Sequence, residues 1–331
     1  MWYGEGRHER GVKMRGADAK VSVVVPFLDE KENLPELKRR VEETFWRRRE
    51  RWQLVLVDDG STDGSTEWAR EAARKDGEHV RLVRLSRNFG HQLAITAGLD
   101  VADGDAVAVM DADLQDPPEV IAEMLDKWRG GADVVYAVRR KREGETWCKR
   151  ALASGFYRVF RKVSKVKMPV DAGDFRLMDK RVVEAVRQMR ELHRFMRGMT
   201  SWVGFRQEAV EYDRAARAAG TTKYPVWKSA RLAVDAITSF SGAPLRWIAG
   251  MGVATCLAAL VWGLYIVASK IWGWGESEKG WSSLMVTLVF FSGVQLLGLG
   301  MVGQYVSRIF EEGKRRPLYW VAEDSGEKSD E

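Results

Sequence analysis

The stretch "VAVMDADLQDPPEV", residues 107–120, joins an apolar run to a cluster of acidic residues and two prolines. Such a run is typical of a buried strand, and Pro117 and Pro118 favour the start of a following helix. Asp111 and Asp113 therefore leave the strand end toward the same crevice. Two carboxylates this close repel each other unless a cation lies between them. The stretch thus predicts a strand, a functional acidic loop and a helix, in that order.

The same order repeats along the first half of the chain. From Lys20 onward, short β-branched runs alternate with amphipathic helical patterns, which predicts a doubly wound α/β domain with a mostly parallel, Rossmann-like sheet. Ligands of such sheets bind outside the carboxyl ends of the strands. Polar clusters follow the predicted strands at those places: "PFLDE" (26–30), "DDGSTDGS" (58–65), "SRNFGHQ" (86–92) and "DADLQD" (111–116).

The composition excludes several classes of protein. Charged residues make up 30% of the 331 residues and apolar ones 45%, which excludes general disorder. The net charge of +6 is compatible with nucleic acid, anionic lipid or a phosphorylated small molecule as partner. Two cysteines, Cys148 and Cys256, exclude a disulfide framework, and the four scattered histidines lack the spacing of a zinc site.

Two long uncharged stretches occupy the carboxyl-terminal third. Residues 248–269 and 281–307 carry no charged side chain, and each exceeds the roughly 20 residues that span a bilayer. We expect a two-helix transmembrane hairpin, with a buried helical hairpin as the alternative. Lysine and arginine flank both outer ends, so the positive-inside rule predicts a cytoplasmic catalytic domain.

These patterns divide the chain into five regions. Residues 224–246 have apolar residues at helical spacing with basic residues between them, which predicts an amphipathic helix at the membrane surface. A linker helix packed on the domain is the alternative. The predicted order is a loose tail (1–19), an α/β catalytic domain (20–223), this juxtamembrane helix (224–246), two transmembrane helices (247–308) and a cytoplasmic tail (309–331).

The acidic loop, residues 111–116, has the chemistry of a divalent metal site. Carboxylates with few other protein ligands suit Mg²⁺ or Mn²⁺, and Gln115 adds a neutral oxygen. Asp58 and Asp59 follow another strand and can hydrogen-bond a pyrimidine edge or ribose hydroxyls. Helix capping by an Asp or by residues 61–65 is an equal alternative there. Asp116 is interpreted as a helix cap, and His91 as a cap or a backbone contact to the donor.

Six ordered motifs carry a resemblance to a known family. The chain from about residue 21 to its tail resembles family 2 glycosyltransferases, especially bacterial polyprenyl-phosphate glycosyltransferases related to dolichol-phosphate mannose synthase. The resemblance implies a GT-A fold, a UDP- or GDP-hexose donor, a divalent metal and an undecaprenyl phosphate acceptor. The motifs are "VVVPFLDE" (23–30), "VDDGSTDGS" (57–65), "RNFGHQLAITAGLDVADGDAVAVMDADLQDPPEVI" (87–121), "DAGDFRLMDKRVV" (171–183), "RFMRGMTSWVGFRQ" (194–207) and "GTTKYPVWK" (220–228).

The resemblance also implies roles for individual residues. Asp113, helped by Gln115, would hold the metal, Asp111 and Ala112 would lie against the donor, and Asp174 matches the acid commonly assigned as catalytic base. The spacing of the acids adds Asp111 to the expected metal ligands. The family's first motif usually has asparagine where this chain has Asp29, which leaves the role of position 29 open. The nucleotide-sugar contacts implied or expected are Pro26, Leu28, Glu30, Asp58, Asp59, Asp111, Ala112 and Arg139.

The chemistry qualifies the role of Asp174. A phosphate monoester has its second pKa near about 6, so at neutral pH it is already an anion and has little need of a base. We therefore expect Asp174 to orient the acceptor or to balance nearby cations. An anionic acceptor needs cations, and arginine can make two parallel hydrogen bonds to phosphate. The expected set is Arg176, Arg194, Arg197, Arg206 and Lys223.

The leading hypothesis is an inverting hexosyltransferase, most simply for glucose, that modifies an envelope glycan such as lipopolysaccharide through a lipid-linked donor. The predicted location is the bacterial inner membrane, as a multi-pass protein with its catalytic domain in the cytoplasm. Transfer of mannose, aminoarabinose or N-acetylhexosamine is the alternative within the class. A noncatalytic nucleotide-binding scaffold is the alternative outside it. We expect no nucleic-acid partner and a homo-oligomer, although small residues on the two apolar helices could equally pack one chain.

Overall fold

The computed structural model describes residues 16, 18–140, 172–213, 243–272 and 280–326. The described residues fall into two compact units. The first contains residues 16–140 and 172–213 together with 317–326, and the second contains residues 243–272 and 280–316. Residues 224–242 of the predicted juxtamembrane helix, Lys223 and most of the predicted amino-terminal tail lie outside the described residues.

The first unit is built from alternating strands and helices, as the sequence pattern predicts. Its elements are β1 (Lys20–Phe27), α1 (Leu34–Arg48), β2 (Arg51–Asp58), α2 (Ser65–Lys75), β3 (Val80–Leu85), α3 (His91–Val101), β4 (Ala106–Val109), α4 (Val120–Arg129), β5 (Val134–Arg139), β6 (Ala172–Asp179), α5 (Lys180–Gln188), α6 (Met196–Trp202), β7 (Gln207–Tyr212) and β8 (Val321–Asp324).

The strands form one mixed sheet in the order β7-β5-β6-β4-β1-β2-β3-β8. Four pairings are parallel, namely β1 with β2, β1 with β4, β2 with β3, and β5 with β7. β6 runs antiparallel to both of its neighbours, and β8 runs antiparallel to β3. The predicted α/β class is confirmed. Because β1 to β5 and β7 all point the same way, their carboxyl ends meet at one edge of the sheet.

Both faces of the sheet are covered by apolar side chains. In β1, Val23 and Val25 belong to one buried cluster and Val24 belongs to the other. This alternation follows from the two-residue period of a strand. On the Val24 face, Gly98 of α3 lies so close that a Cβ would collide with Val24 and Val57. Helix α3 therefore packs in close contact with β1 and β2 of the sheet.

The second unit consists of two long helices, α7 (Ala243–Trp272) and α8 (Trp281–Gly313). Among the residues that the structure describes, neither helix nor any other is long and apolar enough to cross a bilayer. The predicted two-helix transmembrane hairpin is therefore wrong. The prediction relied on missing charge, and missing charge is a weaker property than sustained apolarity. Both stretches also contain glycine, serine or other polar residues, for example Ser292, Gly293 and Gln295 in α8.

The carboxyl-terminal segment returns to the sheet of the first unit. β8 pairs with β3, and Arg81 of β3 makes a bidentate ion pair with Asp324 at 2.7 and 2.8 Å. Arg70 of α2 binds Glu323 in the same way. The region predicted as a tail therefore supplies an edge strand, which covers backbone groups that β3 would otherwise expose.

Candidate active site

The acidic loop lies at the carboxyl end of β4, at the centre of the sheet edge where the strands end. Leu114 has a positive φ of 57°, which turns the loop back on itself. The Asp113 carboxylate then accepts a hydrogen bond from the backbone N–H of Gln115 at 3.1 Å. Ala112 between the two acids is buried. The loop therefore holds Asp111 and Asp113 on a short, constrained piece of backbone.

Asp111 is the acid with unsatisfied hydrogen-bonding capacity. Its Oδ1 atom is shielded from water and accepts no hydrogen bond from the described residues. His91 Nε2 lies 3.3 Å from that atom, an ion contact when the imidazole is protonated. Burial raises the pKa of Asp111 to about 6, and the other acids nearby add to the effect. Asp111 is thus a part-exposed carboxylate with one shielded oxygen that no described donor satisfies, which favours the binding of a cation.

Asp174 of β6 lies in what we call the cationic cluster, formed with Arg176, Arg197 and His91. Arg197 Nε donates to Oδ1 of Asp174 at 3.0 Å, and a further donor outside the cluster, Gln92 Nε2, donates to Oδ2 at 3.1 Å. Arg176 Nη2 lies 4.0 Å away and His91 Nε2 lies 3.7 Å away, which makes both ion contacts rather than hydrogen bonds. Both carboxylate oxygens of Asp174 are therefore engaged.

The charges of the cluster lower the pKa of Asp174 and raise the pKa of His91. Burial works to raise the pKa of Asp174, but the His91 imidazole and the Arg197 and Arg176 guanidinium groups lower it well below its ordinary range. Burial also works against protonation of His91, yet Asp174 and Asp111 raise the pKa of His91 above its ordinary value. Asp174 is consequently an anion at any physiological pH.

Arg176 is the buried member of the cluster, with only 3% of its surface exposed. Burial lowers the pKa of Arg176 to about 10, so the guanidinium stays charged at neutral pH. It donates to the Gly173 carbonyl at 2.8 Å and to the Thr200 hydroxyl. Arg197 is one-third exposed. Of the two arginines, Arg197 can therefore contact a ligand, while Arg176 contributes a buried positive charge held by its hydrogen bonds.

Asp58 shapes the loop after β2, and Asp59 ties that loop to the loop after β3. Asp58 is fully buried and accepts hydrogen bonds from the backbone N–H groups of Gly60 and Ser61 at 3.1 and 2.8 Å, and from the Thr66 hydroxyl. Asp59 accepts from the N–H groups of Phe89 and Gly90 at 2.7 and 2.9 Å. Burial raises the pKa of Asp59. Neither acid is the cap of α2, which has Gly64 in the cap position; both carboxylates instead bind the backbone of the loops.

The loop after β1 is tied to the loop after β2. The Glu30 backbone N–H donates to Ser65 Oγ at 3.0 Å, and the Glu30 carboxylate accepts from the Asn33 amide at 2.6 Å. Asp29 has a φ of 56° and accepts from the Thr62 N–H at 2.7 Å. Position 29 therefore has a structural role in joining the loops. Among the other predicted nucleotide contacts, Leu28 is 40% exposed and Pro26 is buried in β1.

Asp116 is not the cap of α4. The helix begins at Val120 with Glu119 in the cap position, three residues beyond Asp116. Asp116 is instead buried and accepts a hydrogen bond from the Tyr212 hydroxyl at the end of β7. Arg139, predicted as a donor contact, lies beside the same hydroxyl, with Nε 3.5 Å away. The Tyr212 hydrogen bond thus fixes the far end of the acidic loop.

Two of the predicted phosphate-binding arginines lie elsewhere. Arg194 is buried and donates to the carbonyl groups of Val186 and Met189 at the end of α5. Arg206 precedes β7, and its backbone N–H donates to Asp133, which precedes the parallel strand β5. Arg206 therefore lies at the amino ends of the strands, opposite the acidic loop. The structure does not bring either residue to the cationic cluster.

The structure brings in two residues that the sequence interpretation left out of the chemistry, His91 and Gln92. Both lie in the first turn of α3, directly after the loop that follows β3. That position was itself a usable signal, because the start of α3 lies at the same sheet edge as the other polar clusters. No group of three or more His, Cys, Asp or Glu side chains with metal-binding geometry occurs in the described part of the chain. A metal here would rest on two carboxylates and on ligand oxygens.

The α/β sheet with acidic residues gathered at one edge suits a nucleotide-binding enzyme, and the sequence comparison gives the class. The model of the family "Glycosyl transferase family 2" matches residues 22–187. The chain belongs to this family and is a glycosyltransferase.

Known proteins are similar over most of the chain. An uncharacterized glycosyltransferase, YkcC, of Bacillus subtilis is 45% identical over 92% of this chain and 94% of its own length. The bactoprenol glucosyl transferase of Shigella phage SfV is 40% identical over 91% of this chain and 98% of its own length. A solved mannosyltransferase from Pyrobaculum calidifontis, in complex with GDP-Man and Mn²⁺, is 18% identical over 85% of this chain and 87% of that one, with a TM-score of 0.45.

Proposed function

We propose that this enzyme transfers glucose from a nucleotide sugar to a polyprenyl phosphate, with inversion at the anomeric carbon. The observation that carries the proposal is the cationic cluster beside the acidic loop, because it offers separate places for an anionic acceptor and for a sugar diphosphate. The glucose and the lipid acceptor are supported by the printed name of the phage relative, a bactoprenol glucosyl transferase.

A divalent metal fits the acidic loop. Asp111 Oδ1 is buried without a hydrogen bond, and carboxylate oxygen is the ligand type that Mg²⁺ and Mn²⁺ prefer. We infer that Asp111 and Asp113 hold the ion, with Gln115 close by. When bound, such an ion stabilises negative charge on the departing diphosphate as a Lewis acid.

The acceptor is bound by the cationic cluster in this proposal. Arg197 is part-exposed and already oriented by its hydrogen bond to Asp174, so little side-chain freedom is lost when it binds a phosphate. Buried Arg176 adds a positive charge that does not move. Because the phosphate is an anion at neutral pH, one of its oxygens can attack the anomeric carbon directly. The bond from that carbon to the nucleoside diphosphate then breaks, and the diphosphate leaves with the electron pair.

Asp174 orients this machinery rather than accepting a proton. Both of its oxygens accept hydrogen bonds, from Gln92 and Arg197, and its lowered pKa makes it a poor base. Its negative charge balances Arg176 and Arg197 when no acceptor is bound. Asp174 therefore holds Arg197 in the position from which it meets the acceptor phosphate.

The proposal places the reaction at the cytoplasmic face of the bacterial inner membrane. A polyprenyl phosphate is anchored in a bilayer by its chain, and a nucleotide sugar is too highly charged to cross one. The first unit would then meet the lipid headgroup at the membrane surface. A homo-oligomer stays a prediction.

The test is an assay of the purified full chain with undecaprenyl phosphate in detergent. UDP-glucose, GDP-glucose, GDP-mannose and UDP-N-acetylglucosamine are compared with Mg²⁺, with Mn²⁺ and with EDTA. We expect lipid-linked glucose, formed only with metal present, and nucleoside diphosphate release that depends on the lipid. A lipid-linked product of another sugar would correct the donor. No lipid-linked product with any donor would refute the proposal and favour a nucleotide-binding scaffold.

A further inference from the structure

Gln92 connects the start of α6 to the carboxylate at the centre of the cationic cluster. Its Nε2 atom donates to Oδ2 of Asp174 at 3.1 Å, across 82 residues of sequence. Its Oε1 atom accepts the backbone N–H of Met196 at 2.8 Å. Gln92 itself lies in the first turn of α3, so one side chain joins α3, β6 and α6.

The two contacts fix the orientation of the Gln92 amide. A carboxylate can only accept and a backbone N–H can only donate, so the amide group fits between them in one direction. The backbone under it is equally fixed, because the Gln92 carbonyl accepts from the Thr96 hydroxyl at 2.8 Å and α3 packs tightly against β1 and β2. Gln92 is therefore a rigid support rather than an adaptable surface side chain.

The contacts of Gln92 and Arg197 close a ring around Asp174. Gln92 holds Met196 and Oδ2 of Asp174, while Arg197, the next residue in the chain, holds Oδ1. The plane of the carboxylate and the start of α6 are thereby set together. A shift of either would move the Arg197 guanidinium, which is the part-exposed cation of the cluster.

We propose that Gln92 is a positioning residue of the transfer reaction, which orients Asp174 and, through Asp174 and Met196, the Arg197 group that receives the acceptor phosphate. This inference rests on the proposed function. Gln92 touches neither donor nor acceptor in this account. Its loss should therefore affect the use of the acceptor and leave donor binding at the acidic loop unchanged.

If Gln92 only anchored α6, its loss would have the same effect as the loss of another hydrogen bond to that helix. Gln207 provides the matched control. Gln207 Nε2 donates to the Thr200 carbonyl of α6 at 2.8 Å. Gln207→Met thus removes one glutamine hydrogen bond to the same helix without touching Asp174. Gln92→Met removes the contact to the helix together with the contact to Asp174. Gln92→Glu keeps an acceptor for Met196 but places a second carboxylate against Asp174.

The experiment measures kcat and both KM values for the full chain and these three variants, together with their unfolding midpoints. We expect Gln92→Met and Gln92→Glu to lower kcat/KM for undecaprenyl phosphate about 10- to 100-fold, with the donor KM within about two-fold of wild type. Gln207→Met should stay within about three-fold on both substrates, with a similar fall in unfolding midpoint. Equal kinetic losses in Gln92→Met and Gln207→Met, or normal acceptor use by Gln92→Glu, would overturn the proposal.

Failure of the proposed function gives a different result. It would be seen in the wild-type enzyme, as no lipid-linked product with any donor. The Gln92 inference is then judged by unfolding midpoints of Gln92→Met, Asp174→Asn and the double variant. We expect the double variant to fall by less than the sum of the single shifts, because both changes break one contact. Additive shifts would overturn the inference.

Discussion

Asp58 and Asp59, after β2, accept hydrogen bonds from backbone N–H groups and a hydroxyl, whereas Asp174, in β6, accepts from the side chains of Gln92 and Arg197. Asp58 holds the backbone of its own loop, and Asp59 ties that loop to the loop after β3. Asp174 instead contacts the side chains of Gln92 and Arg197 and lies close to the charged groups of Arg176 and His91. Acids at one sheet edge can therefore serve different purposes, one shaping the backbone of the loops and the other orienting charged side chains.

The acidic loop lies between these two regions, and its loss should have the largest effect. Asp113→Asn keeps the shape of the side chain and the contact to Gln115 but removes a negative charge from the proposed metal site. We expect kcat/KM for the donor to fall about 10³-fold, the scale of losing an electrostatic contribution to the transition state. Release of nucleoside diphosphate in the presence of undecaprenyl phosphate measures it. Activity within ten-fold of wild type would remove Asp113 from the metal site.

Substitution of Arg197 tests the role of the cationic cluster in acceptor binding, with the distant Arg206 as the control. Arg197→Ala should raise the acceptor KM about 10- to 100-fold, because one charge-assisted contact to phosphate is lost. Arg206→Ala is the control. Arg206 is 60% exposed, pairs with Glu208 and lies at the opposite sheet edge, so we expect a change below about two-fold. The acceptor KM of each variant is measured by varying the undecaprenyl phosphate concentration. Similar KM values in the two variants would contradict the role of Arg197 in acceptor binding.

Gly60 tests the loop that Asp58 supports. Its φ is +89°, and a Cβ would lie 2.8 Å from the backbone nitrogen of Asn88. Gly60→Ala should therefore lower the free energy of unfolding by about 1 to 3 kcal/mol through backbone strain and the clash. Denaturant unfolding of the variant measures this loss. Gly90→Ala is the comparison, since its positive φ is retained but no atom lies within 4 Å of the added Cβ. Equal losses would show that strain alone, rather than the clash, sets the cost.

Asp111 should respond to pH in the opposite sense from Asp174. Its pKa is raised to about 6 from 3.8, so the folded protein binds a proton between these values that the unfolded chain does not. The stability that Asp111 contributes is present below about pH 4 and is lost as pH rises through about 6.

Without metal at pH 7.5, Asp111→Asn should therefore raise the unfolding midpoint by roughly 2 to 4 °C. Asp174→Asn should lower it, because the lowered pKa of Asp174 means that its ionised form stabilises the fold at neutral pH. Thermal unfolding in EDTA compares the two variants. Midpoints that move in the same direction would contradict the electrostatic difference between the two acids.

The sequence predicts the features that depend on local pattern. Strands β1 to β5 and the acidic loop after β4 follow from apolar runs that end in polar clusters. Arg206 was misplaced because nearness to a motif along the chain does not say which sheet edge a residue occupies. The order of elements does say it, since Arg206 precedes a strand that is parallel to its neighbour.

Two further features depend on long-range contacts, which a single sequence does not reveal. Gln92 and Asp174 are 82 residues apart and meet only because α3 and β6 pack together. β8 is four residues long and has no periodic pattern, so its pairing with β3 could not be read from the chain. The uncharged stretches within α7 and α8, residues 248–269 and 281–307, led to the wrong membrane prediction, because absence of charge does not by itself give sustained apolarity.

The central claim is that Asp174 orients the acceptor machinery and is not the proton acceptor. The most direct test is the pH dependence of kcat/KM for undecaprenyl phosphate in wild type and Asp174→Asn. We predict that both share one fall in rate below about pH 6, set by the acceptor phosphate, with the variant lower throughout and its acceptor KM raised at least about ten-fold. A variant that loses this low-pH fall while its acceptor KM stays normal would contradict the claim and identify Asp174 as the base.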